Sequence, residues 1–392
     1  MSVGKKALFL VLHPAFILLA IALPSSAQTR IDNPARALAK NAGRIIKLEE
    51  VLRIRDDGQT SIFKVPHGFS RGDNGSVYFL DEADGPRLYH YGPEGRLISR
   101  FLKKGQGPGE IQHASGFVVA ADRIRILAWA PPKIMDLSLD GRYLGESRVG
   151  EDCQGLWFLG MAEGKIYGIR DEMFSSSAFR SSSGFTTSTV PNCVYEISPD
   201  FRTWKKLYEF PVHMMVRRGS GFRLDPIDAV IQGLSLYILH TAEYRVTELD
   251  LRSGGLRHVI TRKYDRVKGS SEKSADPDPE TKGIEFPDDP FVWDINRILG
   301  AAGKLWVFTS VMKPDGNDQE VDLFDGAGRF VDSVILRFPT TGQKHLARWT
   351  LLTNDGFFFI PEQEEEGLIS IGKYRIRDAD LFPALAMPKR MP

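Results

Sequence analysis

Cysteine is almost missing from this chain: Cys153 and Cys193 are the only two. Two thiols alone cannot build a cysteine-based zinc or iron–sulfur centre. Helical periodicity is also scarce. Beyond "NPARALAKNAG" (33–43), few windows place apolar residues at a 3.6-residue spacing, which argues against a helical bundle or a doubly wound fold. Neither sign of charge is in excess, with 51 Lys and Arg against 50 Asp and Glu. Nucleic-acid binders carry a clear basic surplus, so no nucleic-acid partner is expected. H-E-x-x-H and a glycine-rich dinucleotide fingerprint are both absent. One long apolar run occurs, "ALFLVLHPAFILLAIAL", and no later segment is apolar enough to cross a bilayer.

That run reads as an export address. Lys5 and Lys6 precede it, His13-Pro14 interrupts it, and "SSA" ends it at Ala27 with small residues suited to signal peptidase. An uncleaved membrane anchor is the alternative. Cleavage after residue 27 removes two lysines and no acids, leaving 49 basic against 50 acidic residues. The expected location is the periplasm or the medium of a bacterial cell, with no membrane span after cleavage. In that setting Cys153 and Cys193 are a disulfide candidate, expected to tie the 171–192 insertion to its neighbours. Two buried reduced thiols are the alternative.

The rest is β-rich and repetitive. A glycine or polar turn followed by a β-rich run appears six times: "GSVYFLD", "DRIRILAW", "GKIYGIR", "GLSLYILH", "GKLWVFT" and "DGFFFIP". A strand, a tight turn and a second strand appear five times, as in "LYHYGPEGRLISRF" and "VDLFDGAGRFVDSVIL". One further strand precedes each member of the first set. Four strands per unit make the blade of a β-propeller. The last unit lacks its outer hairpin, while "RIIKLEEVLRIR" (44–55) is unassigned. The expected architecture is all-β: a six-bladed propeller closed by this leading strand pairing in the last blade, which removes exposed sheet edges. The expected layout is a signal peptide over 1–27, a lead segment over 28–43, the propeller over 44–378 and a tail over 379–392.

"KKGQGPGE" (103–110) then falls between the outer strand of the first blade and the inner strand of the second. Its glycines permit the crossing from rim to axis, and no Lys-Ser/Thr follows to suggest a phosphate cradle. "GQGPGE" followed by "SGFVVAADRIRIL" resembles the "GxGPGE" linker of secreted bacterial six-bladed propellers related to NHL-repeat proteins. "LFDGAGRFVDSVI" resembles the outer hairpin of an NHL-type repeat. The resemblance implies the fold and no particular activity. Units three and four depart from it, with long insertions in place of the linker.

Those insertions sort onto one face of such a ring: 171–192, 211–225, 267–290 and 311–319. Long loops gathered on one side of a rigid scaffold are where binding sites usually lie. The candidate binding residues are Met214, Met215, Arg217, Arg218, Phe222, Arg223, Phe179 and Arg180, with Phe174 beside them, because Arg and aromatics dominate recognition hot spots. The expected function is a scaffold binding a protein, peptide or glycan partner, with no cofactor assumed. The alternative is a metal-dependent lyase or lactonase. His67, His113 and His345 each precede an inner strand, and three imidazoles converging at the axis would suit a divalent metal with one open position. Lyases on this propeller type use such a histidine set, an analogy of fold only. The oligomeric state is not legible.

Overall fold

A computed structural model describes residues 29–55, 63–64, 66–82, 85–149, 155–175, 186–217, 220–269, 290–312, 318–338, 344–345, 350–364 and 367–382. The predicted signal peptide lies outside them. The described chain is nearly all β, in a propeller-like arrangement. It opens with β1 (Thr29–Asn33) and the long β2 (Arg44–Arg55). A four-stranded antiparallel sheet follows: β3 (His67–Arg71), β4 (Val77–Asp81), β5 (Arg87–Tyr91) and β6 (Leu97–Phe101). The linker contributes the short parallel pair β7 (Lys103–Lys104) and β8 (Glu110–Ile111). The second sheet holds β9 (His113–Val119), β10 (Ile124–Ala130), β11 (Pro132–Leu137) and β12 (Tyr143–Arg148).

The third sheet has five strands: β13 (Leu156–Ala162), β14 (Lys165–Asp171), β15 (Thr186–Ile197), β16 (Trp204–Arg217) and β17 (Ser220–Arg223). The fourth is β18 (Asp228–Gln232), β19 (Ser235–Leu239), β20 (Arg245–Asp250) and β21 (Gly255–Arg262), with β1 added in parallel along the outer edge of β21. The remaining strands are β22 (Ile295–Ala301), β23 (Lys304–Met312), β24 (Asp318–Phe324), β25 (Phe330–Arg337), β26 (Lys344–His345), β27 (Leu351–Leu352), β28 (Phe357–Gln363) and β29 (Ile369–Ile376). Together with β2 they form one nine-stranded sheet, in which β26 and β27 both pair with β28. Within it, β2 runs parallel to β25 over Arg44–Lys47 and antiparallel to β29 over Leu48–Arg55.

The first strands of successive sheets lie side by side: β3 against β9, β9 against β13, β13 against β18, β18 against β22, and β22 against β27. Apolar side chains fill the gaps between sheets. Phe359, Ile369 and Ile371 pack with Ile54, Phe79 and Tyr89 around Phe63, so the last sheet meets the first. This two-sided burial explains why the inner strands read as apolar runs, such as the fully buried VYFLD of β4, rather than as alternating patterns. The outer hairpins interlock as well. Gly141 turns with φ +86°, and a Cβ there would sit 2.0 Å from the Phe101 ring of the preceding sheet. Glycine is needed both for the angle and for the space.

The linker glycines are committed internally. Gly107 N–H donates to Glu110 Oε2 at 3.1 Å and Gly109 N–H to Glu146 Oε2 at 3.0 Å. Buried Lys133 donates to Glu146 (2.9 Å) and to the Gly107 carbonyl (3.1 Å). Carboxylates therefore occupy amides that a phosphate would require.

Two boundaries differ from the sequence reading. Residues 29–33, assigned to a lead segment, form β1 within the fourth sheet, with Asn33 Nδ2 donating to the carbonyls of Thr261 and Gly328, both at 3.0 Å. Leu381 and Phe382, assigned to the tail, are buried in the core, where Phe382 stacks on Trp306 at 5.6 Å. Asp378 accepts hydrogen bonds from the backbone of Asp380 and Leu381 and turns the chain inward.

Candidate functional site

The segment 211–225 is not the loop its sequence suggested. Residues 211–217 continue β16, residues 186–192 continue β15 opposite them, and β17 folds back onto β16 with Met214 facing Arg223. Val212, Met214 and Val216 alternate inward and pack against the fourth sheet around Leu236 and Ile238. Met214 is buried in this packing, and Met215, which points to the opposite face of the sheet, is buried as well, so neither forms a binding surface. The Arg217 and Phe222 side chains, Arg218, Phe179, Arg180 and the Phe174 side chain lie outside the described residues.

Arg223 is brought into a cluster. Its guanidinium lies 5.2 Å from the centre of the Trp157 ring and 3.5 Å from Asp171 Oδ2. Trp157 stands at the start of β13, and its indole N–H donates to Asn192 Oδ1 at 2.9 Å; Asn192 is fully buried on β15. Asp171 is the last residue of β14. Its Oδ1 accepts the Met173 N–H at 2.8 Å, opening a 3-10 turn over Glu172–Ser175. Burial pushes the Asp171 carboxyl above the usual range, and the nearby Arg223 charge pulls it back down.

The returning chain is pinned across the same mouth. Leu224 N–H donates to the His213 carbonyl (2.9 Å), and Asp225 accepts from His213 N–H (2.8 Å) while lying 2.8 Å from its ring Nδ1. Trp293 donates its indole N–H to the Leu224 carbonyl at 3.1 Å, which ties the approach to β22 onto the β17 hairpin. Nearer the axis, Asp228 at the start of β18 accepts the Ile298 N–H (2.8 Å) and pairs with Arg297 of β22 (3.5 Å). Arg266 pairs with Asp294 at 3.0 Å and lies over Phe291. Asp294 also accepts the Tyr244 N–H at 2.9 Å.

Trp129 ends β10 on this face and is 51% exposed; Trp293 is 41% exposed. His113 does not point toward a ligand set. Its ring stacks on Trp129 at 5.1 Å, with Nδ1 3.5 Å from Glu82. His67 opens β3, and the His345 side chain lies outside the described residues. Among the described residues no three His, Cys, Asp or Glu side chains gather as a metal site.

Cys193 is a free, buried thiol rather than half of a disulfide. It packs with Leu127, Ile134 and Ile166 between the second and third sheets, as a small apolar residue would. Burial pushes its thiol above the usual range. Cys153 lies outside the described residues.

His240, just beyond β19, is buried against Phe210. Burial first, and the Arg245 charge second, push its pKa down to about 4, with Asp225 opposing. The unfolded chain takes up that proton near pH 6.5, before the fold does. His240 neutrality therefore stabilises the fold above about pH 6.5, and this contribution is lost as pH falls toward 4. The loss amounts to about 3 kcal/mol. Urea melts of His240→Gln should show a shallower decline between those pH values than melts of the parent. Equal slopes would exclude His240 as the source.

No family model matches the chain. No curated protein matches it either. Among solved structures, a Bacteroides fragilis protein described as exported aligns with TM-score 0.52 and 12% identity, over 89% of this chain and 100% of that one. The likeness shows a shared fold. Virginiamycin B lyase from Staphylococcus aureus aligns at TM-score 0.40 and 13% identity, over 84% of this chain and 99% of that one. The Neurospora crassa Pan2 WD40 domain aligns at 0.42 and 10%, over 81% and 76%. Both are too distant to carry an argument about this chain.

No local signal in the sequence joined Asp171 to Arg223, which are 52 residues apart. Trp129, Trp157 and Trp293 carried a signal that went unused: each stands at a strand end on the insertion-bearing face.

Proposed function

We propose that this chain is an exported six-bladed propeller, of NHL-like kind, whose loop-rich face binds a protein, peptide or glycan partner. The blade count is supported by the way β2 divides the nine-stranded sheet. Its first residues flank β25, and its remainder serves as the outer strand beside β29. Split there, the sheet yields two sectors, which join the four separate ones. Packing of the last sector against the first around Phe63 supports closure. The leading apolar segment supports export to the periplasm or beyond.

The observation that carries the binding reading is the pair of exposed tryptophans, Trp129 and Trp293, each held in place by a second contact on the face that also bears the Trp157–Arg223–Asp171 cluster. Exposed, immobilised aromatics beside arginine are the usual make-up of a recognition surface. Screening glycans and peptides by tryptophan emission should find a ligand whose signal and affinity are lost in the Trp129→Ala/Trp293→Ala double variant. Undiminished binding by that variant would place recognition elsewhere. Stoichiometric zinc, copper, manganese or iron in the purified protein would favour instead the lyase or lactonase reading.

A further inference from the structure

We infer that the ligand of this mouth is a neutral oligosaccharide, held by stacking on tryptophan rings and by hydrogen bonds to carboxylate, amide and guanidinium groups; this rests on the loop-face binding reading above. The first argument is charge. Among the described residues, each cation named at the mouth already has a carboxylate: Arg223 with Asp171, Arg297 with Asp228, and Arg266 with Asp294. His213 lies against Asp225 in the same way. A ligand bearing its own charge would have to break one of these pairs and leave the displaced group without its partner in a half-buried setting, which is costly. A neutral ligand leaves every pair intact.

The second argument is shape and rigidity. Trp129 and Trp293 offer large exposed apolar areas. Their orientations are fixed, by His113 stacking on the first and by the bond to the Leu224 carbonyl on the second. A pyranose ring matches such a surface: its C–H faces are apolar, and its edge is a row of hydroxyls that both donate and accept. Aromatic rings supply the apolar contact at low entropic cost. The paired Asp and Arg groups each have capacity for further hydrogen bonds, since a carboxylate accepts at about four sites and a guanidinium donates from five N–H groups. Several anchored tryptophans, spread over inner and neighbouring strands of different sheets, fit a chain of sugars better than a single one.

The full exported chain would be titrated with hexamers of glucose in α-1,4 and β-1,4 linkage, of xylose and of N-acetylglucosamine. Hexagalacturonate and acidic and basic decapeptides complete the panel, with tryptophan emission and calorimetry as readouts. At least one neutral hexamer should bind, and Trp293→Ala should weaken it by about tenfold or more while the variant still melts in one cooperative transition. Binding of the acidic sugar or a peptide with no neutral sugar bound would overturn this inference and leave loop-face binding standing. Neutral-sugar binding untouched by both Trp129→Ala and Trp293→Ala would overturn the site itself. A panel in which nothing binds would overturn the sugar assignment.

Discussion

Arg53→Met should destabilise the protein by about 3–5 kcal/mol. The Arg53 side chain is 5% exposed and sits where β2 meets the last sheet. It pairs with Glu362 of β28, whose carboxylate is fully buried, and donates to Ser370 Oγ at 2.9 Å and Tyr374 Oη at 2.8 Å. Glu50 of β2 takes a second ion pair at 2.6 Å, and Tyr374 donates to Glu362 at 2.7 Å. Methionine keeps the stem and removes the charge, so the buried Glu362 carboxylate loses the cation it pairs with. Adding Glu362→Leu should recover much of the loss, because a buried pair replaced by apolar residues of similar size is often near neutral. Denaturant melts of parent, single and double variants measure both terms. A single-variant loss below about 1 kcal/mol would mean that this junction is loose and wet.

Phe382→Ala should cost about 3–5 kcal/mol. Nothing in its position suggests this, since it lies near the end of the chain. Yet it is 1% exposed and stacked on the fully buried Trp306, and Leu381 beside it is equally buried. Arg44 of β2 bonds both Asp332 and Asp378, so the end of the chain is clamped to its start. Emptying the Phe382 site removes a large aromatic from a packed core, where neighbours relax only in part. Thermal and urea melts check the size. A loss no larger than that of a surface substitution would show that residues 379–382 are dispensable.

The repeat was legible because its turns are chemically constrained. Gly75 and Gly303 open the β-rich runs at φ +81° and +71°, angles that a side chain disfavours. A glycine ahead of an aromatic-centred run therefore marks a hairpin wherever it recurs. The segment 44–55 was legible as a strand, because its β-rich run was left over once the repeats were assigned, and it pairs with β25 and β29. The extension of β15 and β16 was misread because "TTSTV" and "PVHMMVRR" contain serine, threonine and arginine, which suggest a loop. The alternation of Val212, Met214 and Val216 was the better guide, because period-two burial outweighs composition. β1 escaped because a five-residue parallel edge strand leaves no hairpin and little pattern. The Trp157–Arg223–Asp171 cluster could not be read at all. It depends on which side of a twisted sheet three separate strands turn toward one another, and spacing along the chain does not encode that. The histidine set was misjudged at His113 for the same reason: its position before an inner strand was right, and its ring turned to Trp129.

The proposed ring closure and the sorting of insertions onto one face both depend on β2 pairing beside β29. Native-state hydrogen exchange, read on peptides spanning 44–55 and 369–376, tests it most directly. The two segments should be protected together, opening only at the free energy of global unfolding, and Arg53→Met should lower both by the same amount. Rapid exchange of 48–55 beside a protected 369–376 would contradict the pairing, and the proposed binding face with it.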